Sequence, residues 1–254
     1  MRNIYVDNNQ AFDFGKTSKY YAKYRDIYPN ELFEKLLSIG VGLRGTNWLD
    51  LGTGTGVLPR ALARYGANII ATDISENQII EARELSKDFD NIEYKICSAE
   101  KTELESDYFD AITACQCFWY FDHQLIIPEI KRMIRNGGVF VKIFMDWAED
   151  DEIANASTSL IKKLNPNWNS GQAAMNDLRE HYFDNPLNES FDVNILFTRE
   201  TWHGRMLTCR GVKGSMNENT IKVFENEHTK ILENYPKEFL IKHKVFIVSY
   251  KIKK

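Results

Sequence analysis

Three glycines that alternate with threonines are the residues whose types and spacing most clearly indicate chemistry in this chain. The stretch W-L-D-L-G-T-G-T-G occupies positions 48–56, and a helical pattern begins at Val57. Glycine is needed where the backbone turns with positive φ or where another group must come close to it. Three glycines between an apolar run and a helix are typical of a loop that binds a nucleotide-like cofactor.

Residues that could hold the rest of such a cofactor follow the later apolar runs. The run N-I-I-A-T-D ends at Asp73, whose carboxylate could accept hydrogen bonds from both hydroxyls of a ribose. The next run is followed by S-A-E at 98–100, where an adenine edge would be bound, and another ends at Gln116, just before four aromatic residues at 118–121. Ligands of open α/β sheets bind outside the carboxyl ends of the strands, so these residues are candidates for one site.

The spacing of the glycines argues against a dinucleotide as that cofactor. The fingerprint G-x-G-x-x-G, started at Gly52, would require glycine or alanine at position 57, which is valine here. The chain also has no G-x-x-x-x-G-K-[ST] sequence, whose lysine reaches bound phosphates. A cofactor with ribose and adenine but no pyrophosphate is S-adenosylmethionine, and its cationic sulfur could be attracted by an aromatic face such as that of Trp119.

The elements that must position these residues follow from the hydrophobic patterns. Apolar runs predict strands at residues 48–51, 68–73, 92–97, 109–116, 139–146, 191–197 and 245–252. Helical patterns occupy residues 16–27, 57–65, 124–135, 149–164, 172–182 and 220–234, and two more helices begin at Pro29 and after Ser75. Ser75 and Gln78 have the spacing of a capping box, and the polar residues at 198–200 predict a turn.

Strand and helix alternate regularly up to Asp146, which predicts a parallel sheet with right-handed crossovers and helices on both faces. The alternation then breaks, and residues 147–188 have the pattern of a helical cap inserted between two parts of one sheet. We therefore predict a single α/β domain over residues 1–254. Its parts are a helical lid at 1–45, a cofactor-binding core at 46–146, the cap at 147–188, and the remaining strands and helix at 189–254.

Composition limits the classes of function. The formal net charge of −4 over 254 residues gives no general attraction for nucleic acid. Residues 1–10 lack the apolar segment of a signal peptide, and no apolar run approaches the roughly 18 residues of a membrane span. The cysteines form no C-x-x-C pair and the histidines have no metal-ligand spacing, so we expect no metal and a cytoplasmic location.

These motifs together resemble those of class I S-adenosylmethionine-dependent methyltransferases, in the broad methyltransferase type 11 group that includes trans-aconitate-type enzymes. The resemblance covers most of the chain. It rests on the glycine stretch at 48–56, A-T-D-I-S at 71–75, F-D-A-I-T-A-C-Q at 109–116, I-R-N-G-G-V-F at 134–140, and a Y-x-x-x-R-x-x-Y-P pattern at 21–29.

The resemblance implies a Rossmann-like sheet of seven mostly parallel strands, with the last strand antiparallel at the sheet edge. It also implies that Asp73 binds the ribose and that Arg25 pairs with the cofactor carboxylate. Ser98 stands where many members have aspartate, which leaves the adenine contact to its hydroxyl, to the backbone, or to Glu100. The full set of implied cofactor-binding residues is Arg25, Asp50, Gly52, Thr53, Gly54, Gly56, Asp73, Ile74, Gln78, Ser98, Ala99, Glu100 and Gln116.

Candidates for catalysis come from residues near these motifs. By the same resemblance, Tyr20 or Tyr21 would face the transferred methyl group. Trp119 could contact the cationic sulfur or the acceptor, and His123 or His203 could act as a general base if the acceptor needs deprotonation. Arg205 completes the candidates, because it belongs with Arg199 and Arg210 to a polar stretch that could bind an anionic acceptor; such arginines are also commonly just solvated.

The sequence therefore predicts a methyltransferase that acts on a small-molecule acceptor, with S-adenosylmethionine as cofactor. No nucleic-acid or membrane partner is expected. One alternative is a non-catalytic protein that binds S-adenosylmethionine as a sensor, because cofactor binding can survive the loss of methyl transfer. The other is a nicotinamide-dependent oxidoreductase on a similar sheet, against which Val57 argues.

Overall fold

A seven-stranded sheet forms the centre of the computed structural model, which describes residues 14–169 and 171–254. Residues 1–13, which include the segment checked for a signal peptide and part of the predicted lid, lie outside the described residues. The strands are β1 (Asn47–Leu51), β2 (Asn68–Asp73), β3 (Ile92–Ile96), β4 (Phe109–Cys115), β5 (Ile134–Trp147), β6 (Leu187–Thr198) and β7 (Glu238–Lys251). Their order is β3-β2-β1-β4-β5-β7-β6, with β7 antiparallel to both neighbours. The predicted fold class is confirmed.

Helices cover both faces of this sheet. They are α1 (Ser18–Tyr24), α2 (Asn30–Ser38), α3 (Val57–Leu62), α4 (Glu76–Leu85), α5 (His123–Met133), α6 (Glu152–Leu164), α7 (Gln172–Arg179), α8 (Arg199–Leu207) and α9 (Glu218–Glu233). In the described ranges, no helix has the length and apolarity that crossing a membrane requires.

The core is divided between the two faces because successive side chains of a strand point in opposite directions. Leu49 and Ile112 belong to a cluster on one face, whereas Trp48 and Ala111 belong to a cluster on the other. Central strands buried on both faces are typical of parallel sheets. A third apolar cluster joins α6, α8 and α9 to the ends of β6 and β7, and Trp202 is fully buried within it.

The position of the last strand differs from the prediction. We expected it at the sheet edge, but β7 lies between β5 and β6, and β6 forms the edge. The reason is how many side chains of each strand can be buried. Alternate residues of β7 are buried along most of its length, whereas β6 exposes polar residues such as Asn188 and Glu189, which suit an edge that must not pair with another chain.

Two local predictions about helix starts were also wrong. Ser75 precedes α4 but makes no side-chain cap, and its N–H, which a capping box would pair with the Gln78 side chain, donates instead to Asp73 Oδ1 at 2.8 Å. The predicted turn at 198–200 instead begins α8, where the side chains of Thr198 and Thr201 each bond the other's backbone N–H. This reciprocal arrangement is a capping box, but its third helical residue is threonine, where glutamate or glutamine is usual, so the sequence pattern did not reveal it. The division into lid, core and cap stays a prediction.

Candidate functional site

The glycine loop connects β1 to α3 in a left-handed conformation. Gly52, Gly54 and Gly56 have φ values of 63°, 59° and 74°. The loop is fixed by a hydrogen bond from the Thr53 N–H to the Thr72 carbonyl oxygen at 2.8 Å. Its backbone therefore follows the end of β1 and stays beside the end of β2.

Close packing explains two of these glycines, whereas the described residues leave room for a side chain at the third. A Cβ at Gly52 would lie 2.8 Å from Cys117 Sγ, and one at Gly56 would overlap the Tyr94 hydroxyl. Of the described residues, only Tyr21, through Cε1 at 3.7 Å, would meet a Cβ at Gly54. Gly54 is therefore the point of the loop at which a ligand can approach the backbone.

Asp73, at the end of β2, fixes the loop to its neighbouring strand. Its Oδ2 accepts a hydrogen bond from the Gly54 N–H at 2.9 Å, while Oδ1 accepts one from Ser75. Burial raises the pKa of Asp73, and these backbone N–H groups oppose that rise. Each carboxylate oxygen can accept more than one hydrogen bond, so Asp73 can hold the loop and still bind ribose hydroxyls.

A cavity of about 100 Å³ opens at the carboxyl ends of β4 and β5. Three guanidinium groups face it, and we call it the arginine cavity. The described residues that line it are Tyr21, Arg25, Gln116, Trp119, Tyr120, Phe144, Met145, Asp146, Trp147, Trp168, Gly171, Ala173, Ala174, Arg205, Cys209 and Arg210. Helices α1, α7 and α8 supply its walls around the two strand ends.

The arginines of the cavity are held mainly by neutral groups. Arg25 donates to the Thr208 hydroxyl at 2.8 Å and to its carbonyl oxygen at 3.1 Å. Arg210 donates to the Tyr120 hydroxyl and to the Asn169 carbonyl oxygen, both at 2.7 Å. Arg205 is only 4% exposed and lies over the ring of Trp147.

Asp146, at the end of β5, is the carboxyl group of this lining. Its Oδ1 accepts a hydrogen bond from the Trp147 N–H at 3.0 Å. Burial raises the pKa of Asp146 to about 6, although the charges of Arg205 and Arg25 act to lower it. A carboxylate with this pKa can accept a proton from an acceptor group near neutral pH.

Tyr21 connects the arginine cavity to the glycine loop. Its ring lines the cavity and is also the group closest to Gly54. The Arg25 guanidinium lies over this ring, 4.8 Å from its centre. The loop and the cavity are therefore two parts of one site, with a single phenol between them.

Comparison with known proteins identifies this arrangement. Residues 49–142 match the model of a family described as "Methyltransferase domain". Residues 49–142 are therefore a methyltransferase domain. S-adenosylmethionine, the cofactor predicted from the sequence, is the cofactor of this family. The narrower likeness to trans-aconitate-type enzymes stays a prediction.

The sequence relatives of this methyltransferase domain match only part of the chain. A protein of Dictyostelium discoideum named as a methyltransferase is 31% identical over 128 residues, which are 50% of this chain and 47% of that protein. A ubiquinone biosynthesis O-methyltransferase of Coxiella burnetii is 32% identical over 109 residues, or 42% of this chain and 44% of that one. The chain thus spans less than half the length of either relative.

Solved structures support the same fold over a longer range. A methyltransferase structure from Anaeromyxobacter dehalogenans has a TM-score of 0.61 at 19% identity and covers 89% of this chain and 97% of its own. A phosphoethanolamine N-methyltransferase of Haemonchus contortus, in complex with phosphomonomethylethanolamine and S-adenosylhomocysteine, has a TM-score of 0.55 at 16% identity and covers 99% of this chain and 58% of its own. At these identities the likeness shows the fold alone.

The loop of the methyltransferase domain has features that fit its cofactor. Thr53 carries a buried hydroxyl that lies beside the Asp50 carboxyl group and helps to lower its pKa. Ile74, next to Asp73, is 75% exposed and offers an apolar surface on which a flat ring could lie. A carboxylate with an uncovered apolar side chain beside it fits a nucleoside, which has a polar ribose and a flat base.

Other predicted cofactor residues support the site from beneath or beside it. Asp50 is 2% exposed and accepts a hydrogen bond from the Thr113 hydroxyl at 2.6 Å, and burial raises its pKa to about 6. Gln78 is equally buried, in α4. Glu100 binds the Ser98 hydroxyl and also accepts from the Asp122 N–H at 3.0 Å. Glu100 and the Ser98 proton are therefore already engaged, which leaves the backbone at Ala99 as the simplest contact for adenine.

Gln116 lies at the end of β4 with φ of 61°, a conformation that a residue with a side chain rarely adopts. Its side-chain amide donates to the Met145 carbonyl oxygen at 2.5 Å, and its N–H donates to Ile143. Such conformations concentrate at functional sites. Gln116 faces the arginine cavity, whereas the sequence had assigned it to the cofactor.

The structure does not bring three of the catalytic candidates to the cavity. His123 bonds the Tyr182 hydroxyl at 2.9 Å, away from the cavity lining. His203 contacts His228 between α8 and α9, where burial lowers the pKa of both rings. Tyr20 is 42% exposed, with Lys213 over its ring. His203 is thus part of the packing between α8 and α9, and His123 packs against the rings of Phe118 and Tyr182.

The remaining candidates, Tyr21, Trp119 and Arg205, do line the cavity, and Arg210 joins them. Arg199 does not, because its guanidinium binds carbonyl oxygens at the end of α9, including that of Glu233. Sequence reasoning missed Asp146, the carboxyl group that the structure places in the cavity lining. Its signal was available, since Asp146 ends a strand in the same way as Asp73.

Proposed function

We propose that this protein is an active methyltransferase that transfers a methyl group from S-adenosylmethionine to a small molecule bound in the arginine cavity. The observation that carries the proposal is the position of Tyr21. One ring both covers the open side of Gly54 and lines the cavity. A donor at the loop and an acceptor in the cavity would then be neighbours across this ring.

The cofactor would be held by residues of four elements. Asp73 would accept hydrogen bonds from the ribose, and Gly54 would allow the methionine part to approach the backbone. Ile74 would cover one side of the adenine, and the Ala99 backbone would bind its edge. Arg25, held in place by Thr208, would pair with the cofactor carboxylate.

Catalysis would depend mainly on position and on exclusion of water. Bound S-adenosylmethionine would supply a methyl group on a cationic sulfur. The sulfur would keep the electron pair of the broken bond, and a lone pair of the acceptor would form the new bond to the methyl carbon. Trp119, in edge contact with the Phe144 ring at 5.3 Å, would form an apolar wall that keeps the acceptor in line. Asp146 would receive the proton of an acceptor that has to lose one.

The proposal is tested first by cofactor binding. Isothermal titration calorimetry of the full chain should give saturable binding of S-adenosylmethionine. Asp73→Ala should weaken it by at least tenfold, because hydrogen bonds to a charged group contribute ~1.5–3 kcal/mol. Asp88→Ala, which removes an exposed carboxylate after α4, is the matched control and should leave the affinity unchanged. Failure of the wild-type chain to bind S-adenosylmethionine would refute the proposal.

Turnover then separates an enzyme from a non-catalytic binding protein. The chain is incubated with S-adenosylmethionine and a panel of small carboxylic acids, phosphate esters, phenols and amines. Formation of S-adenosylhomocysteine above the rate without acceptor, with a matching methylated product in the mass spectrum, supports the enzyme. Binding without transfer to any class of acceptor would favour the sensor.

A further inference from the structure

Arg205 is the buried charge of the arginine cavity that has the fewest partners. Its side chain belongs to α8 and is only 4% exposed. Its Nε has no hydrogen-bond partner in the described residues, and Nη1 has only the weak acceptor Cys209 Sγ at 3.4 Å. The face of its guanidinium lies 5.4 Å from the centre of the Trp147 ring. Within the described part of the chain, no oxygen accepts a hydrogen bond from this guanidinium.

Other arginines of the chain show what a satisfied guanidinium looks like. Arg132 forms two parallel hydrogen bonds with Glu129, at 2.8 and 2.9 Å. Arg135 pairs with Asp110 and with a carbonyl oxygen, and Arg199 binds several carbonyl oxygens. A buried charge without such partners is strongly unfavourable. Arg205 therefore has the properties of a group that is completed by a ligand.

The charges around the cavity define the sign and size of that ligand. Asp146 is the one carboxylate among the described lining residues, against the guanidinium groups of Arg25, Arg205 and Arg210. Burial lowers the pKa of Arg205, and the nearby charge of Arg25 adds to this effect. An anion would relieve both effects. The volume of about 100 Å³ limits it to a small molecule.

We propose that the methyl acceptor carries an anionic group, a carboxylate or a phosphate monoester, that binds Arg205. This inference rests on the proposed function, because it assigns the acceptor to the arginine cavity. The planar guanidinium can offer two parallel N–H donors to either anion. The aromatic walls formed by Trp119, Trp147 and Trp168 would then contact the uncharged remainder of the acceptor.

The test uses defined anions with the full chain loaded with S-adenosylhomocysteine. Succinate represents a carboxylate, methyl phosphate represents a phosphate monoester, and succinamide is the neutral counterpart of succinate. Calorimetric titrations at constant ionic strength compare the wild type, Arg205→Gln, Arg205→Lys and Arg199→Gln. The last variant removes the same charge from the same helix but outside the cavity.

We expect the wild type to bind at least one anion saturably and succinamide at least tenfold more weakly. Arg205→Gln should weaken anion binding by at least tenfold. The anion affinity of Arg205→Lys should lie between those of the wild type and Arg205→Gln, because lysine keeps the charge but loses the paired donors. Arg199→Gln should bind like the wild type. Which anion binds more tightly distinguishes a carboxylate acceptor from a phosphorylated one.

The proposal is overturned if the wild type binds neither anion, if Arg205→Gln binds them as tightly, or if succinamide binds equally well. Titration with S-adenosylhomocysteine keeps this result separate from the proposed function. Equal cofactor affinity in the wild type and Arg205→Gln, combined with failed anion binding, refutes only the acceptor class. A wild-type chain that does not bind the cofactor refutes the proposed function itself. Arg205→Lys provides the comparison if Arg205→Gln does not fold.

Discussion

Replacing Arg205 by methionine should make the ligand-free protein more stable. Methionine has a similar length and an unbranched stem, so it can fill the same space between Trp147 and Cys209. Replacing a buried ion pair by apolar residues of similar volume is often neutral or stabilising by about 1–4 kcal/mol. Here the neighbouring Asp146, whose pKa is about 6, loses the attraction of one guanidinium but keeps that of Arg25. The lost contact between the guanidinium and the Trp147 ring subtracts about 0.5–1 kcal/mol. We therefore expect a net gain of up to about 3 kcal/mol.

The gain is measured by urea unfolding at pH 7.5, followed by tryptophan fluorescence, and by calorimetry. A chain of this size gains roughly 2–4 °C in Tm for each kcal/mol. Arg132→Met is the matched comparison, since it removes a guanidinium that does have a carboxylate partner. It should lower the free energy of unfolding by about 1–3 kcal/mol, because it removes paired hydrogen bonds between charged groups from a partly buried site.

A loss of more than about 1 kcal/mol in Arg205→Met would refute this reasoning. It would mean that Arg205 has a strong partner in the ligand-free protein. An equal change in Arg205→Met and Arg132→Met would refute it as well. In both cases the anionic acceptor would lose its main physical support, whatever the turnover assays show.

Three further outcomes follow from the site. The folded-state pKa of Asp50 is raised from 3.8 to about 6 by burial, so its stabilising contribution is full below pH 3.8 and is lost as pH rises to about 6. Above pH 6, Asp50→Asn should therefore have a free energy of unfolding up to ~3 kcal/mol higher than that of the wild type, measured by urea titration. Identical dependence of this free energy on pH in the two proteins would contradict this. Gly56→Ala should destabilise by ~2–4 kcal/mol, because it combines a positive φ with overlap of the Tyr94 hydroxyl, whereas Gly45→Ala, with positive φ but nothing near its Cβ, should lose only ~1–2 kcal/mol in the same urea titration. Trp119→Ala should lower turnover of an identified acceptor more than it lowers cofactor affinity, and an equal loss in both would assign Trp119 to the cofactor instead.

The sequence by itself determined the class of fold and the cofactor loop. Strand and helix periodicity reports which side chains are buried, and that information is local. The positive φ of Gly52, Gly54 and Gly56 is likewise a local need that glycine meets. Asp73 could be placed beside the glycine loop because strand ends in a parallel sheet lie at one edge. The order of β6 and β7 could not, because it depends on which strand buries more apolar surface.

Only the tertiary structure brought the arginine cavity together, from residues far apart in the chain. Arg25 follows α1 and Arg205 lies in α8, a helix that the sequence patterns did not reveal. These helices pack closely because Gly204 has no side chain, and a Cβ there would lie 2.5 Å from the ring of Tyr24. The same packing turns Arg205 away from solvent and leaves His203 on the opposite side, against α9. Which of two polar neighbours reaches a site depends on helix orientation, and that is decided by packing between segments rather than by their own sequence.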